Sequence, residues 1–111
     1  MKWNKLETET QWQQILENSK QRLQLVYKHS TRCSISSVVK SRLERANAPA
    51  GIDFYFLDLI SFRSVSNKIA EDMRVIHESP QVLLIKDGEC IYNESHTGIN
   101  MDDIVAEGMR A

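Results

Sequence analysis

The sequence predicts an α/β domain with a mixed four-stranded sheet and helices on both faces. Three observations carry that expectation. Leu23 to Leu59 reads as strand, helix, strand, which demands a right-handed parallel crossover. Asp87-Gly88 separates two short apolar runs, a strong two-residue hairpin signal that demands antiparallel pairing. The chain has 111 residues, enough for one hydrophobic core and too few for a second, so residues 1–111 are read as a single domain.

The elements follow in order. Thr8-Glu9-Thr10-Gln11 has the capping-box pattern and opens a helix with Trp12, Ile15 and Leu16 as its apolar stripe. Leu23 to Tyr27 is a nearly continuous apolar run, as in a strand buried on both faces. After the polar break His29-Ser30-Thr31-Arg32, a second helix places Ile35, Val38, Val39, Leu43 and Ala46 on an apolar face. Asn47-Ala48-Pro49-Ala50-Gly51 stops it. Ile52 to Leu59 is an aromatic-rich strand. A third helix fits Arg63 to Met73, with Val65, Ile69 and Met73 on one side. Val82 to Ile85 and Cys90 to Tyr92 form the hairpin. Asn100 caps a last helix whose first turn carries Asp102 and Asp103, where the helix dipole favours negative charge.

The resulting order, α-β-α-β-α-β-β-α, is that of a thioredoxin-like fold, and other α/β sandwiches of the same order stay open. The 14 basic and 15 acidic residues leave a net charge of -1, so no global basic field draws nucleic acid or anionic lipid. The N-terminal residues lack the apolar core of a signal peptide, and no run is long enough to span a bilayer. The expectation is a cytoplasmic protein with neither nucleic-acid nor membrane partners. The two cysteines and three histidines are too scattered for a zinc site or a disulfide scaffold, and no metal site is expected.

Chemistry concentrates in Thr31-Arg32-Cys33-Ser34-Ile35-Ser36. Cys33 falls where the first central strand meets the second helix, beside unpaired N–H groups and the positive end of the helix dipole. Both favour a thiolate, and Arg32 adds positive potential. Ser36 stands where a dithiol oxidoreductase has its second cysteine. A mixed disulfide at Cys33 must therefore be resolved by a second molecule, while Ser36 offers the thiolate a hydrogen bond. Ser79-Pro80 precedes the third central strand, at a position where proline marks a special backbone site and a cis bond is accessible.

Lys28-His29-Ser30-Thr31-Arg32-Cys33-Ser34-Ile35-Ser36, Ser79-Pro80-Gln81 before a Val-Leu-Leu-Ile strand, and Asp87-Gly88 together resemble the YtxJ-type monothiol bacilliredoxins. These are thioredoxin-fold proteins of bacteria that use bacillithiol, and the similarity runs from Trp12 through Ala106. The resemblance implies a thiol-disulfide oxidoreductase that removes bacillithiol from protein cysteines. Cys33 attacks the mixed disulfide, and bacillithiol or another thiol system regenerates it. No tightly bound cofactor is implied; bacillithiol is a co-substrate and S-bacillithiolated proteins are the partners. Pro80 is implied to be a cis-proline facing Cys33, and the Ser79 backbone to pair with extended substrate. Thr31, Thr97 and Gly98 complete the expected substrate contacts, Thr97-Gly98 resembling the place where glutaredoxins hold the carboxylates of their small thiol. Ser34 departs from the family, which usually has proline there; it restores an N–H and bears on the thiol's reactivity.

Other residues admit two readings. His29 either supports the thiolate or orders the turn. Cys90 is read as a packing residue, with a resolving role as the minority reading. Asp58 is either an acid near the thiol or a turn cap. The alternative function class is a binding module, either an adaptor or an iron–sulfur scaffold formed by Cys33 with an exogenous thiol.

Overall fold

The computed structural model describes residues 1–111. Along the chain run β1 (Asn4–Lys5), α1 (Glu9–Asn18), β2 (Leu23–His29), α2 (Ser34–Arg45), β3 (Ile52–Asp58), α3 (Arg63–Met73), β4 (Gln81–Lys86), β5 (Glu89–Ser95) and α4 (Met101–Arg110). A 3-10 turn at His96–Gly98 joins β5 to α4.

The local signals behave as their chemistry dictates. The Thr8 hydroxyl accepts from Gln11 N–H at 3.1 Å and the Gln11 side chain accepts from Thr8 N–H at 3.1 Å, closing the capping box of α1. Asn100 caps α4 by accepting from Asp103 N–H at 2.9 Å. Asp87 and Gly88 take φ of 52° and 77°, the two left-handed residues that match the twist of a tight hairpin. Leu84 faces Tyr92 and Ile85 faces Cys90, so Ile91 is an extra residue in a bulge.

The sheet has five strands in the order β1-β3-β2-β4-β5, not the expected four. The addition is β1, which pairs parallel to β3 through Asn4 and Lys5. A two-residue strand of exposed polar side chains has no period to read. It is held by what flanks it. Leu6 is fully buried, and its N–H reaches Phe56 O at 2.9 Å.

β2 lies at the centre, parallel to β3 and antiparallel to β4. Its alternation sends Leu25 and Tyr27 to a core shared with Val39, Leu43 and Ile104 of α2 and α4. Val26 points the other way, to Trp12, Ile15, Val65 and Ile69 of α1 and α3. One face of α2 departs from expectation. Its buried residues are Ser36, Val39 and Leu43, while Ile35 and Val38 are 38% and 55% exposed. Spacings of three and four make Ser36 the start of the true stripe, and a buried serine is invisible to an apolar count. The polar break also begins later than read, because β2 continues through Lys28 to His29 and both side chains are buried.

Candidate active site at the junction of β2 and α2

The chain leaves β2 through a tight turn in which Cys33 N–H donates to Ser30 O at 3.2 Å. Ser30 Oγ accepts from Arg32 N–H at 3.3 Å. Thr31 and Arg32 occupy the exposed corners. Cys33 then takes the N-cap position of α2 with extended backbone, and its side chain closes no cap hydrogen bond in this state. The thiol is half-buried.

The surroundings favour the charged sulfur. The Ser36 amide lowers the Cys33 pKa most; burial opposes it, and the Ile35 amide and Ser36 side chain add to the lowering. This is the helix-terminal stabilisation expected of an attacking cysteine. Neither Arg32 nor His29 is among the groups that shift it. Arg32 forms no ion pair, and Ser34 begins α2 as an exposed residue.

Ser36 is fully buried and organises this corner. Its Oγ accepts from Ser30 N–H at 3.3 Å, which leaves the hydroxyl proton for Cys33. Its carbonyl accepts from the Tyr27 hydroxyl at 2.7 Å. Tyr27 escaped the sequence reading. The signal was there: a tyrosine inside a buried strand needs a partner for its hydroxyl, and this one fixes the first turn of α2. Burial raises its pKa, so it stays a donor. Replacing Ser36 with alanine is expected to raise the Cys33 pKa toward its ordinary value and to slow alkylation at neutral pH a few-fold. An unchanged pH profile of alkylation would assign the whole effect to the amides.

His29 ends β2 at 7% exposed. Its ring lies against Phe56 with centroids 5.0 Å apart, and its Nδ1 is buried without a partner. Burial lowers its pKa, as does Lys40, so the imidazole is neutral at pH 7. Asp58 stands beside it in the β2–β3 register and accepts from the Ile60 and Ser61 amides and the Ser61 hydroxyl, a turn-capping role.

The Ser79-Pro80 bond is cis. Lys28 pairs with Gln81, so Pro80 lies at the same end of the sheet as Cys33. Neither backbone group of Ser79 is hydrogen-bonded within the protein, whereas Pro80 O accepts from His96 N–H at 2.9 Å. Thr97 and Gly98 lie in the 3-10 turn. Arg42 of α2 donates to Thr97 O and Ile99 O, both at 3.0 Å. A Cβ on Gly98 would come within 3.0 Å of the Glu94 carboxyl carbon. Glu94 therefore packs on this glycine and sets a negative charge beside the turn.

Cys90 belongs to the opposite end of the sheet. It faces Ile85, four residues along β4 from Gln81, a span of about 13 Å. A bond to Cys33 needs Cα atoms within about 7 Å, so this geometry excludes it. Burial raises the Cys90 pKa, and its Sγ lies 3.3 Å from Tyr92 O. It is a packing residue.

A sheet of this order with a thiol at the head of α2 is the thioredoxin architecture. The model of the family described as "Monothiol bacilliredoxin BrxC" matches residues 4–104. The chain belongs to the monothiol bacilliredoxin family. A solved structure described as a proposed oxidoreductase with a thioredoxin fold is similar at 31% identity, covering 93% of this chain and 90% of that one, with a TM-score of 0.78. Thioredoxins of Malassezia sympodialis (14% identity, 98% and 90% covered, TM-score 0.76) and Fasciola hepatica (19%, 96% and 97%, 0.75) share the fold. Family and fold together make this bacilliredoxin a thiol oxidoreductase. No helix is long and apolar enough to cross a membrane.

Proposed function

We propose that the protein removes bacillithiol from S-bacillithiolated protein cysteines, one cysteine at a time. The observation that carries this reading is Ser36. It occupies the place of a resolving thiol, and the other cysteine lies at the far end of the sheet. The Cys33 thiolate attacks the bacillithiol sulfur of the mixed disulfide. That S–S bond breaks, the protein thiolate leaves, and Cys33 retains the bacillithiol. A second thiolate, from bacillithiol or another thiol system, attacks this adduct, and Cys33 leaves as thiolate again. Two exchanges conserve every electron pair, so no resident cofactor is called for.

The unpaired Ser79 backbone, at the same end of the sheet as Cys33, supports pairing with an extended substrate strand. Thr31 and Arg32 flank the incoming disulfide, with Arg32 offering its charge to the bacillithiol carboxylates. Thr97 and Gly98, in the turn whose His96 N–H bonds Pro80 O, complete the substrate contacts. Glu94 opposes an anion there, and Arg42 is the cation placed to offset it. Ser34, at the helix start, and neutral His29, packed at the end of β2, order the turn around the thiol rather than carry the exchange. The compartment is the reducing cytoplasm.

Intact mass after treatment with oxidised bacillithiol tests the reading. Wild type is expected to gain one bacillithiol at Cys33, and Cys33→Ala to gain none there and to lose reduction of a mixed-disulfide protein. An adduct found mainly on Cys90 would sink it.

A further inference from the structure

Lys28 is fully buried and has no acidic partner. Its place on β2 sends it to the face covered by α1 and α3. There Nζ donates to Ser66 O in α3 at 3.1 Å and lies 3.3 Å from His77 Nδ1. Ser66 Oγ, itself buried, lies 3.3 Å from the same nitrogen. An ammonium has no acceptor, so Nδ1 must take the hydrogen bond and His77 is neutral, protonated on Nε2. Burying an ammonium without an acidic partner is unfavourable, and lysines are almost never found this way. Burial alone lowers the Lys28 pKa to about 8. A leucine or methionine would fill the space with less penalty.

What the lysine touches explains its presence. His77 belongs to the segment between α3 and β4 that carries Ser79-Pro80. Ile76, just before it, is 86% exposed, and Glu78, just after, is exposed too. With the buried Pro80, His77 is thus a side chain by which this segment reaches inward, and Lys28 is the donor it meets. Beyond the contacts of Lys28 and Ser66 Oγ with His77, the segment is tied by Gln81 Nε2 to Ile76 O at 3.0 Å, by His96 N–H to Pro80 O at 2.9 Å and by the exposed contact of His96 Nδ1 with Glu78 Oε2 at 3.7 Å. None of these further ties holds residues 77–79 from below the sheet.

We propose that Lys28 is a positioning residue for substrate. Through His77 it fastens the Ile76–Pro80 segment to β2 and keeps the free Ser79 backbone in register with Cys33. This rests on the strand-pairing reading of Ser79 given above. Lys28 reaches the chemistry only through the loop, so it should matter for substrates with a peptide backbone and not for a small disulfide.

The test compares wild type with Lys28→Met, His77→Ala and the double variant, each checked for folding by circular dichroism. One substrate is a peptide with an S-bacillithiolated cysteine; the other is oxidised bacillithiol. Each single variant is expected to raise the peptide KM by about 10-fold with kcat within about twofold, and the double variant to add little further. The rate of Cys33 with oxidised bacillithiol should stay within about twofold in all. Unchanged peptide KM in the folded variants, or equal loss on both substrates, overturns the proposal. His77→Ala keeps it testable if Lys28→Met does not fold. Backbone order parameters at residues 77–79 read the fastening without substrate, and they should fall from about 0.85 toward about 0.6 in either variant. Unchanged order parameters overturn the fastening. If wild type takes up bacillithiol but never turns over the peptide, the strand-pairing reading fails instead.

Discussion

Ser36→Cys is expected to convert the protein from a one-cysteine exchanger into a dithiol one. In the wild type the mixed disulfide at Cys33 persists until a second molecule arrives. Residue 36 lies one helical turn on, its N–H bonded to Cys33 O at 3.1 Å, and its side chain already borders the sulfur. A thiol there attacks within the molecule, and well-oriented intramolecular groups reach effective concentrations on the order of 10⁵ M or more. The bacillithiol adduct that accumulates on the wild type should then vanish. A species about 2 Da lighter than the reduced variant should replace it, as two thiols become one disulfide. Cysteine also weakens the acceptor offered to Ser30 N–H, a small loss beside the kinetic change. An adduct that survives in Ser36→Cys as long as in the wild type would mean that the two side chains do not meet, and the geometry assigned to this corner would fall with it.

The sequence carried the features whose chemistry is local. Thr8 with Gln11, Asn100 before Asp103, and Asp87-Gly88 each state their structure within a few residues, because capping and tight turns are short-range hydrogen bonding and backbone sterics. Cys33 at a strand-to-helix junction was legible for the same reason, and the strand order brings Ser79-Pro80 to the same end of the sheet. What escaped depends on partners far along the chain. β1 exists only because β3 offers it an edge. Tyr27 counted as one more apolar residue until its hydroxyl met the Ser36 carbonyl. Lys28 ended the strand on charge alone, since nothing nearby showed that Ser66 and His77 would receive it. Ile35 and Val38 looked like core because the buried member of their turn is a serine. Apart from the edge strand β1, the readings that failed thus cluster around the catalytic corner, where polar groups are buried and satisfied over long distances.

Lys28→Met is expected to make the protein more stable, and by an amount that depends on pH. The folded state holds Lys28 with a pKa of about 8 against the ordinary 10.5. Below pH 8 both folded and unfolded chains carry the proton, and the folded chain bears the full penalty of a buried ammonium. Between about 8 and 10.5 the unfolded chain binds more protons than the folded one, so stability rises with pH. The full difference corresponds to about 3 kcal/mol. Urea unfolding at pH 7 should therefore find Lys28→Met ahead by an amount of that order, with the gap narrowing by about 2 kcal/mol at pH 9.5. Cys33 and the tyrosines titrate in both proteins, so the difference isolates Lys28. A gap that does not move with pH would mean that Lys28 titrates as an ordinary surface lysine. Methionine removes the charge and the tie to β2, while Ser66 Oγ of α3 remains to satisfy His77 Nδ1, so nothing buried is stranded by the change. The same substitution that strengthens the fold is expected to loosen the grip on peptide. Opposite signs in the two measurements distinguish a residue kept for positioning from one kept for stability, because a purely structural lysine would weaken both together.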